Sequence, residues 1–254
     1  MKRISLFIAA AALAAASLSA YTPKVVAHRG HWQPEGSAQN SIRALVKADS
    51  VGVDAVELDV WIDATGTVWV NHNKDINGVV IETADSATVA REHLSNGEPI
   101  PTLRRFLAVA SELRPDIVLE VKTHEDSLRE DAAVDAAIAM VNAAGLAPRT
   151  TYITFSRRAF ERMVARSGCP VQFLSAVEPA ELKALGGTAA DYNIIHFRKH
   201  PTWIDDLHAL GLGVNVWTVN KPEDLRWCID QGVDFITTNE PELLIQILQE
   251  QQEK

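Results

Sequence analysis

Short apolar, β-branched runs alternate with segments of helical periodicity along most of the chain. Eight runs predict strands, at residues 24–28, 55–60, 117–122, 151–155, 171–174, 193–197, 214–219 and 234–237. Between them apolar residues recur at helical spacing, as at Leu103, Phe106 and Leu107 after Thr102, a predicted N-cap. This alternation predicts an α/β protein with a parallel sheet. Eight repeats, with no glycine-rich dinucleotide fingerprint after the first strand, favour a closed (β/α)8 TIM barrel over an open doubly wound sheet.

One stretch departs from the alternation and predicts a β-hairpin that extends the second strand. Residues 57–63 run directly into Thr65-Gly66, and a second short strand then leads to His72. Pairing about that turn places His72 within one residue of the position opposite Asp59, at the end of the barrel where parallel strands finish. Residues 74–100 contain no clear strand, so we expect a small loop-and-helix insertion there that covers the barrel mouth.

The first twenty residues predict a targeting segment. Lys2 and Arg3 precede an apolar run at residues 6–16, and Ala20 ends a small-residue stretch, which together indicate a signal peptide over residues 1–20. The run is shorter than the roughly 20 residues of a membrane span, and no cysteine follows it that could carry a lipid. We therefore expect one exported domain, residues 21–254, without a stable membrane anchor and periplasmic or extracellular in location.

Charge and cysteine content narrow the function classes. The full chain carries a net charge of −9, and removal of Lys2 and Arg3 makes it −11, which excludes a basic nucleic-acid surface. Cys169 and Cys228 are the only cysteines. They can pair in an oxidising compartment or remain ordinary buried thiols, and neither has the spacing of a metal site.

Carboxylates at two predicted strand ends indicate a metal site. Glu57 and Asp59 are two residues apart and face the same side of their strand, and Glu120 and Lys122 repeat that arrangement on the third strand. Burying such charges without compensation costs several kcal/mol each. Salt bridges to Arg29 and Lys122 are one solution, but a third carboxylate favours a single divalent cation, and all-oxygen ligation favours Mg²⁺ or Ca²⁺ over Zn²⁺.

These groups fit the cleavage of a phosphodiester. Such a substrate is an anion that repels nucleophiles, so a site must neutralise its charge, activate an oxygen nucleophile and protonate a leaving alkoxide. A cation, Arg29 and Lys122 can serve the first need. The imidazoles of His28 and His72 can act as base and acid, each typically worth about 10²–10⁴ in rate. The alternative for His28 is a strand-end histidine that bonds to the backbone.

With these residues assembled, the chain resembles the glycerophosphodiester phosphodiesterase family over nearly all of its length after residue 20. Seven motifs carry the resemblance, in order: AHRG at 27–30, ELDV at 57–60, VNH at 70–72, IPTL at 100–103, LEVK at 119–122, VWTVN at 216–220 and GVDFIT at 232–237. The resemblance implies a (β/α)8 barrel with a small insertion after the hairpin. It also implies hydrolysis of small-molecule glycerophosphodiesters to glycerol 3-phosphate and an alcohol.

The resemblance further assigns roles to single residues. His28 and His72 match the family's acid/base pair, and Trp217 matches an aromatic residue that lines the substrate site, although a strand-end core position explains Trp217 equally well. The remaining matches are metal ligands at Glu57, Asp59 and Glu120, and phosphate contacts at Arg29 and Lys122.

Three positions depart from the family pattern by replacing a carboxylate with an amide. They are Gln39, Asn73 and Asn239. None carries an assigned catalytic role, but a lost charge near the site alters histidine pKa or metal affinity. We therefore expect an active enzyme of altered efficiency.

Two alternatives to this function remain open at the level of sequence. The same chemistry can act on a lysophospholipid, a sphingolipid, or an inositol- or sugar-bearing glycerophosphodiester. A non-catalytic binding protein on a decayed barrel is the other, which the retention of both histidines and all three carboxylates disfavours.

Overall fold

A computed structural model describes residues 22–252, so the predicted signal peptide lies outside the described residues. The strands are β1 (Lys24–Ala27), β2 (Ala55–Ile62), β3 (Val68–Val70), β4 (Asp75–Ile76), β5 (Val79–Val80), β6 (Asp116–Val121), β7 (Thr150–Thr154), β8 (Val171–Phe173), β9 (Ala189–Asn193), β10 (Gly213–Trp217) and β11 (Phe235–Thr238). The helices are α1 (Ile42–Val51), α2 (Ser86–Val89), α3 (Leu103–Ala110), α4 (Ser127–Ala143), α5 (Arg157–Arg166), α6 (Pro179–Ala184), α7 (Ile194–Lys199), α8 (Trp203–Ala209), α9 (Pro222–Asp230) and α10 (Pro241–Gln252).

Eight of the strands form a closed parallel barrel surrounded by helices. Strand β1 pairs in parallel with both β11 and β2, and this closes the sheet. The predicted (β/α)8 fold is therefore confirmed. Helix starts follow local chemistry, as in α1 and α3, where the Ser41 and Thr102 side chains accept bonds from backbone N–H groups of the first turn.

The prediction for the sixth barrel strand was wrong by four residues. Residues 194–197 lie in helix α7, and the strand is β9, Ala189–Asn193. Asn193 ends the strand because its side chain accepts a bond from the Ile195 N–H and caps the helix. The apolar run Ile194-Ile195 belongs to that helix, and the strand uses alanine and aspartate, residues of low β propensity.

The hairpin of β2 and β3 is present at the predicted register. Val60 lies opposite Val70, and the Asn71 N–H donates to the Asp59 carbonyl at 3.0 Å, so His72 follows directly after the pairing with Asp59. The prediction that residues 74–100 lack strands was wrong. They contain the two-stranded hairpin β4–β5, whose Asn77-Gly78 turn has positive φ at both positions, as tight hairpins require.

Two hydrophobic regions of different size support the barrel. The larger lies between the strands and the outer helices. Inside the barrel a small apolar group, Val26, Ala55, Val118, Ile153 and Leu174, occupies the interior. Most other buried positions on these strand faces are polar: Glu57, Asp59, Glu120, Gln172, Asp191, Asn215 and Thr237. Part of the barrel interior is therefore polar, and burying polar groups lowers stability unless they form hydrogen bonds or bind a ligand.

Two further predictions concerned the cysteines and a membrane span. Cys169 and Cys228 are both free, and Cys228 is buried. Within residues 22–252, none of the helices combines the length and apolar character needed to cross a bilayer.

Candidate active site

The three predicted carboxylates converge at the carboxyl ends of β2 and β6. Asp59 and Glu120 are neighbours in the parallel register of these strands, and Glu57 precedes Asp59 on the same face. All three side chains are buried, and one oxygen from each lies within 4.8 Å of the others. Oxygen ligands of one Mg²⁺ or Ca²⁺ lie at about 2.0–2.6 Å from the ion, so they are separated by no more than about 5 Å. The donor set therefore fits a hard divalent cation.

Two cations of the protein already contact this cluster. The Lys122 ammonium lies 2.7 Å from Glu120 Oε1 and 3.2 Å from Asp59 Oδ1. Arg29 reaches Asp59 Oδ2 at 3.7 Å through Nε, and its backbone N–H donates to Glu57 Oε2 at 2.8 Å. The salt bridges expected as the alternative to a metal therefore exist, and they lie beside the carboxylate triad.

The pKa values show that these two cations do not balance three carboxylates. Burial, followed by repulsion from Asp59, raises the pKa of Glu120 to about 8, and the same causes raise the pKa of Glu57 well above its usual value. For Asp59 burial acts in the same direction, but Lys122, His72 and Arg29 outweigh it and lower its pKa to about 2. The cluster lacks positive charge, which a divalent cation would supply.

A tight turn after β1 places Arg29 and His28 at the cluster. Arg29 and Gly30 have φ values of 58° and 76°, a left-handed conformation that a side chain at Gly30 would strain. A Cβ added to Gly30 would also meet the Ala44 Cβ at 2.8 Å. The glycine therefore permits the turn and the close approach of helix α1.

His28 is held in one tautomer by Asn239. The Asn239 Oδ1 atom lies 2.8 Å from His28 Nδ1 and also accepts a bond from the Trp32 Nε1–H at 3.2 Å. Because an indole N–H can only donate, the shared atom is an acceptor, and His28 Nδ1 carries the proton. His28 Nε2 is therefore free to accept a proton. Burial, and then the Arg29 charge, lowers the pKa of His28 to about 4, so the ring is neutral at pH 7.

His72 lies on the opposite element, beyond the hairpin. Its Nδ1 is 2.9 Å from Asn73 Oδ1. Burial lowers the pKa of His72, and the charge of Asp59 opposes that effect. The charge of Asp59 and the bond to Asn73 therefore both favour a protonated His72.

The three amide departures all touch the predicted catalytic groups. Gln39 Oε1 accepts a bond from Arg29 Nη1 at 2.7 Å, Asn73 bonds to His72, and Asn239 bonds to His28. Each histidine and Arg29 thus has a neutral hydrogen-bond partner, which orients the group without adding negative charge.

The site opens into a cavity of about 170 Å³ at the barrel mouth. Its wall contains His28, Arg29, Glu57, His72, Glu120, Lys122, Ile153, Phe155, Leu174, Asp191, Trp217, Thr218 and Thr237. Trp217 lines this cavity and also packs against the interior apolar group, with its indole N–H bonded to the Asp191 carbonyl at 2.7 Å. Of the eight predicted site residues, all but Asp59 reach the cavity wall, and Asp59 lies behind it in contact with Lys122.

The insertion contributes to a second, adjoining groove and to none of that wall. The groove, of about 480 Å³, is lined by amide side chains at Gln33, Gln39, Asn71, Asn73 and Asn77, together with Trp32, Asp75 and His93. Gln39 and Asn73 belong to this groove and also bond to Arg29 and His72. The insertion, which was expected to cover the barrel mouth, therefore lies beside the mouth and forms one wall of the groove.

Asp191 is a cavity residue that the sequence analysis missed. The predicted strand began at Asn193, which placed Asp191 in the preceding loop. The available signal was a carboxylate that follows two small residues, Ala189-Ala190-Asp191, and Asp191 faces inward like the other strand-end carboxylates.

Comparisons with known proteins place this geometry in context. The model of the glycerophosphoryl diester phosphodiesterase family matches residues 28–243. A glycerophosphodiester phosphodiesterase of Caldanaerobacter subterraneus is 27% identical over 88% of this chain and 97% of its own length. The crystal structure of a glycerophosphodiester phosphodiesterase from Parabacteroides distasonis is 39% identical, covers 91% of this chain and 98% of its own, and superposes with a TM-score of 0.89.

A more distant structure was solved with a product. An Oleispira antarctica phosphodiesterase in complex with sn-glycerol-3-phosphate is 21% identical, covers 90% of this chain and 98% of its own, and gives a TM-score of 0.78. At that identity the likeness concerns the fold.

Proposed function

Because the chain belongs to the glycerophosphoryl diester phosphodiesterase family, we propose that it hydrolyses glycerophosphodiesters to glycerol 3-phosphate and an alcohol with a divalent cation and two histidines. The observation that carries the proposal is the convergence of His28, His72, Arg29 and Lys122 with a buried carboxylate triad in one cavity. The relatives' names support the substrate class, and the product complex of the Oleispira protein supports the identity of the product.

Glu57, Asp59 and Glu120 would hold the cation. When bound, it supplies positive charge that polarises the phosphoryl group and an oxygen ligand. The Arg29 guanidinium and the Lys122 ammonium, both at the cavity wall, bind the phosphate anion and keep it against the carboxylate cluster.

The histidines divide the proton transfers. His28 is the base, because its Nδ1 proton is committed to Asn239 and Nε2 can accept a proton from the nucleophile. His72, the other imidazole of the cavity wall, is the acid that protonates the leaving alkoxide; burial lowers its pKa, and the Asp59 charge and the bond to Asn73 oppose that effect. Binding of an anionic phosphodiester raises the pKa of both rings, which counteracts the effect of burial.

The adjoining groove favours a polar leaving alcohol within the same chemistry. Its amide side chains can donate and accept bonds to the hydroxyls of a sugar or an inositol, and it lies directly beside His72. In a lysophospholipid the acyl chain is attached to the glycerol, and in a sphingolipid it is part of the ceramide, so the chain would have to fit the cavity of about 170 Å³ instead of this groove. A panel of glycerophosphocholine, glycerophosphoinositol and a lysophospholipid decides between them, and we expect the highest kcat/KM with the inositol ester.

The function itself is tested by product analysis with and without metal. Purified protein should release sn-glycerol 3-phosphate from glycerophosphocholine, exhaustive EDTA should abolish release, and Mg²⁺ or Ca²⁺ should restore it. His28→Ala and His72→Ala should each lower kcat by about 10²-fold or more. His208→Ala, in the last turn of α8 and outside both the cavity and the groove, is the matched control and should retain activity.

Two outcomes would overturn the assignment. Full activity after chelation would contradict the role of a metal, and a His28→Ala enzyme as active as wild type would contradict the role of His28 as the base. Absence of any hydrolysis with an intact fold would return the binding-protein alternative.

We also propose that residues 1–20 direct export and are removed. The basic residues and the apolar run of that segment support this proposal. N-terminal sequencing of protein from a periplasmic fraction should begin at Tyr21. Recovery of the intact N-terminus in the cytoplasmic fraction would contradict it.

A further inference from the structure

Asp191 is a buried carboxyl group at the cavity with no use in the mechanism given above. It is 1% exposed, lies on β9, and is part of the cavity wall. Its Oδ1 is buried without a hydrogen-bond partner in the described part of the chain. Burial, followed by repulsion from Glu120, raises the pKa of Asp191 well above its usual value.

The neighbouring polar interior residues do not need Asp191. Thr237 donates to Asn215 Oδ1 at 3.1 Å, and Asn215 donates to Gln172 Oε1 at 3.3 Å, so these three groups satisfy one another. A buried polar group left without a partner lowers stability, and replacement by an apolar group of similar size is often neutral or stabilising. Asp191 is part of the cavity wall, and its carboxyl group lacks a full set of partners among the described residues, which indicates a partner on a bound ligand.

The position of Asp191 restricts what that partner is. The cationic and metal-binding groups lie on the β1, β2 and β6 side of the cavity, whereas Asp191 on β9 adjoins Trp217 of β10 and Leu174 after β8. A phosphate anion would bind beside the cations, because a carboxyl group offers it no positive charge. A carboxyl group accepts a bond from a hydroxyl group in either protonation state, so a hydroxyl group of the ligand complements it. Carbon atoms that connect the hydroxyl to the phosphate would contact Ile153, Leu174 and Trp217.

We propose that Asp191 binds a hydroxyl of the glycerol moiety and thereby selects glycerol esters over other phosphodiesters. The proposal rests on the proposed function for the identity of the substrate. It adds a specificity-determining residue that takes no part in proton transfer or in metal binding.

Ligand binding tests this without any need for turnover. Calorimetry should compare sn-glycerol 3-phosphate with propyl phosphate, which keeps the three-carbon chain and the phosphate but has no hydroxyl. Wild type should bind sn-glycerol 3-phosphate about tenfold or more tightly than propyl phosphate, the worth of one well-made hydrogen bond. Asp191→Asn, which can still donate and accept, should keep most of this preference. Asp191→Ala and Asp191→Leu should lose it while binding propyl phosphate as wild type does.

Thermal melting separates this role from a structural one. Because the Asp191 Oδ1 atom has no partner among the described residues, Asp191→Leu should melt at the wild-type temperature or a few degrees above it, although it has lost the ligand preference. Asp205→Ala, on the exposed face of α8, is the matched control and should change neither quantity. Kinetics should agree, with kcat/KM reduced about tenfold for glycerophosphocholine in Asp191→Leu and unchanged for bis(p-nitrophenyl) phosphate.

Three results would overturn the proposal: no preference in wild type, a preference that survives Asp191→Leu, or an Asp191→Asn variant as impaired as Asp191→Leu. Each is distinct from failure of the proposed function, which would be a wild-type protein that binds sn-glycerol 3-phosphate but does not hydrolyse its esters.

Discussion

Single side chains set the protonation of the candidate catalytic groups. Asn239 Oδ1 accepts a bond from His28 Nδ1, and Asn73 Oδ1 lies within hydrogen-bond distance of His72 Nδ1. A neutral amide fixes a ring orientation as a carboxylate does, but it gives an imidazolium much less stabilisation. His28 consequently remains neutral over the physiological range, since its pKa is lowered to about 4 by burial and by Arg29.

Asn239→Asp should raise the pKa of His28 by about one unit or more, because a negative charge within hydrogen-bond distance stabilises the imidazolium. A base works in its neutral form, so the acidic limb of the kcat/KM profile should move to higher pH. NMR titration of the His28 ring and a pH–rate profile measure the two effects.

Asn239→Ala provides the opposite control for that change. It removes the bond that raises the pKa of His28, so the pKa should fall and the acidic limb should move to lower pH. An acidic limb that is the same in both variants would show that His28 is not the base.

At the scale of elements, the β2–β3 hairpin carries His72 back to the carboxylates, and Asp63 holds its turn. Asp63 Oδ1 accepts bonds from the Thr65 and Thr67 N–H groups at 2.8 and 2.9 Å, and Oδ2 accepts from Trp69 Nε1 at 2.8 Å. The side chain is fully buried. One carboxylate therefore fixes both the turn and the packing of the returning strand.

Asp63→Ala should lower the free energy of unfolding by about 3 kcal/mol, because several buried donors lose their acceptor. It should also lower kcat more than it raises KM, since His72 is displaced while Arg29 and Lys122 still bind phosphate. Urea denaturation and steady-state kinetics measure these changes.

Asp63→Asn is the matched variant for the hairpin. It keeps an oxygen for the two backbone donors but turns an NH₂ group toward Trp69, so about 1–2 kcal/mol should be lost. Equal stability of the Asp63→Ala and wild-type proteins would remove Asp63 as the anchor of the hairpin.

At the scale of the whole molecule, the buried carboxylate cluster in the barrel interior lowers the stability of the metal-free protein. Burial and repulsion from Asp59 raise the pKa of Glu57 and raise that of Glu120 to about 8, so between about pH 4.5 and 8 the Glu120 carboxyl group binds more protons in the folded state than in the unfolded chain. In the metal-free protein this contribution is fully present below about pH 4.5 and is lost as pH rises through about 8.

A divalent cation should therefore stabilise the protein more at pH 8 than at pH 5, because it replaces protons that the cluster holds at low pH. Melting temperatures with EDTA and with saturating Mg²⁺ or Ca²⁺ measure this, and at 100 times the Kd the gain is about 2.7 kcal/mol. Glu57→Gln should reduce it. A melting temperature that is independent of metal at both pH values would exclude a cation at this site.

Local patterns determined much of this protein. Alternation of strands and helices implied the closed barrel, and the hairpin turn implied that His72 returns to Asp59, because both follow from side-chain periodicity and turn chemistry within a few residues. The same periodicity misplaced β9, since Ile194-Ile195 resembles a strand until Asn193 is seen to cap a helix.

Only the tertiary structure decided which polar groups have partners. Sequence position cannot show that Asn239, far along the chain, fixes the His28 tautomer, or that Asp191 lines the cavity with an oxygen that has no partner among the described residues. Both depend on barrel closure, which brings residues 28 and 239 together through the pairing of β1 with β11. The sequence therefore identified the catalytic and metal-binding residue types at the strand ends. The protonation states of these residues, and the polar atoms left without partners, depend on contacts that form only when the barrel closes.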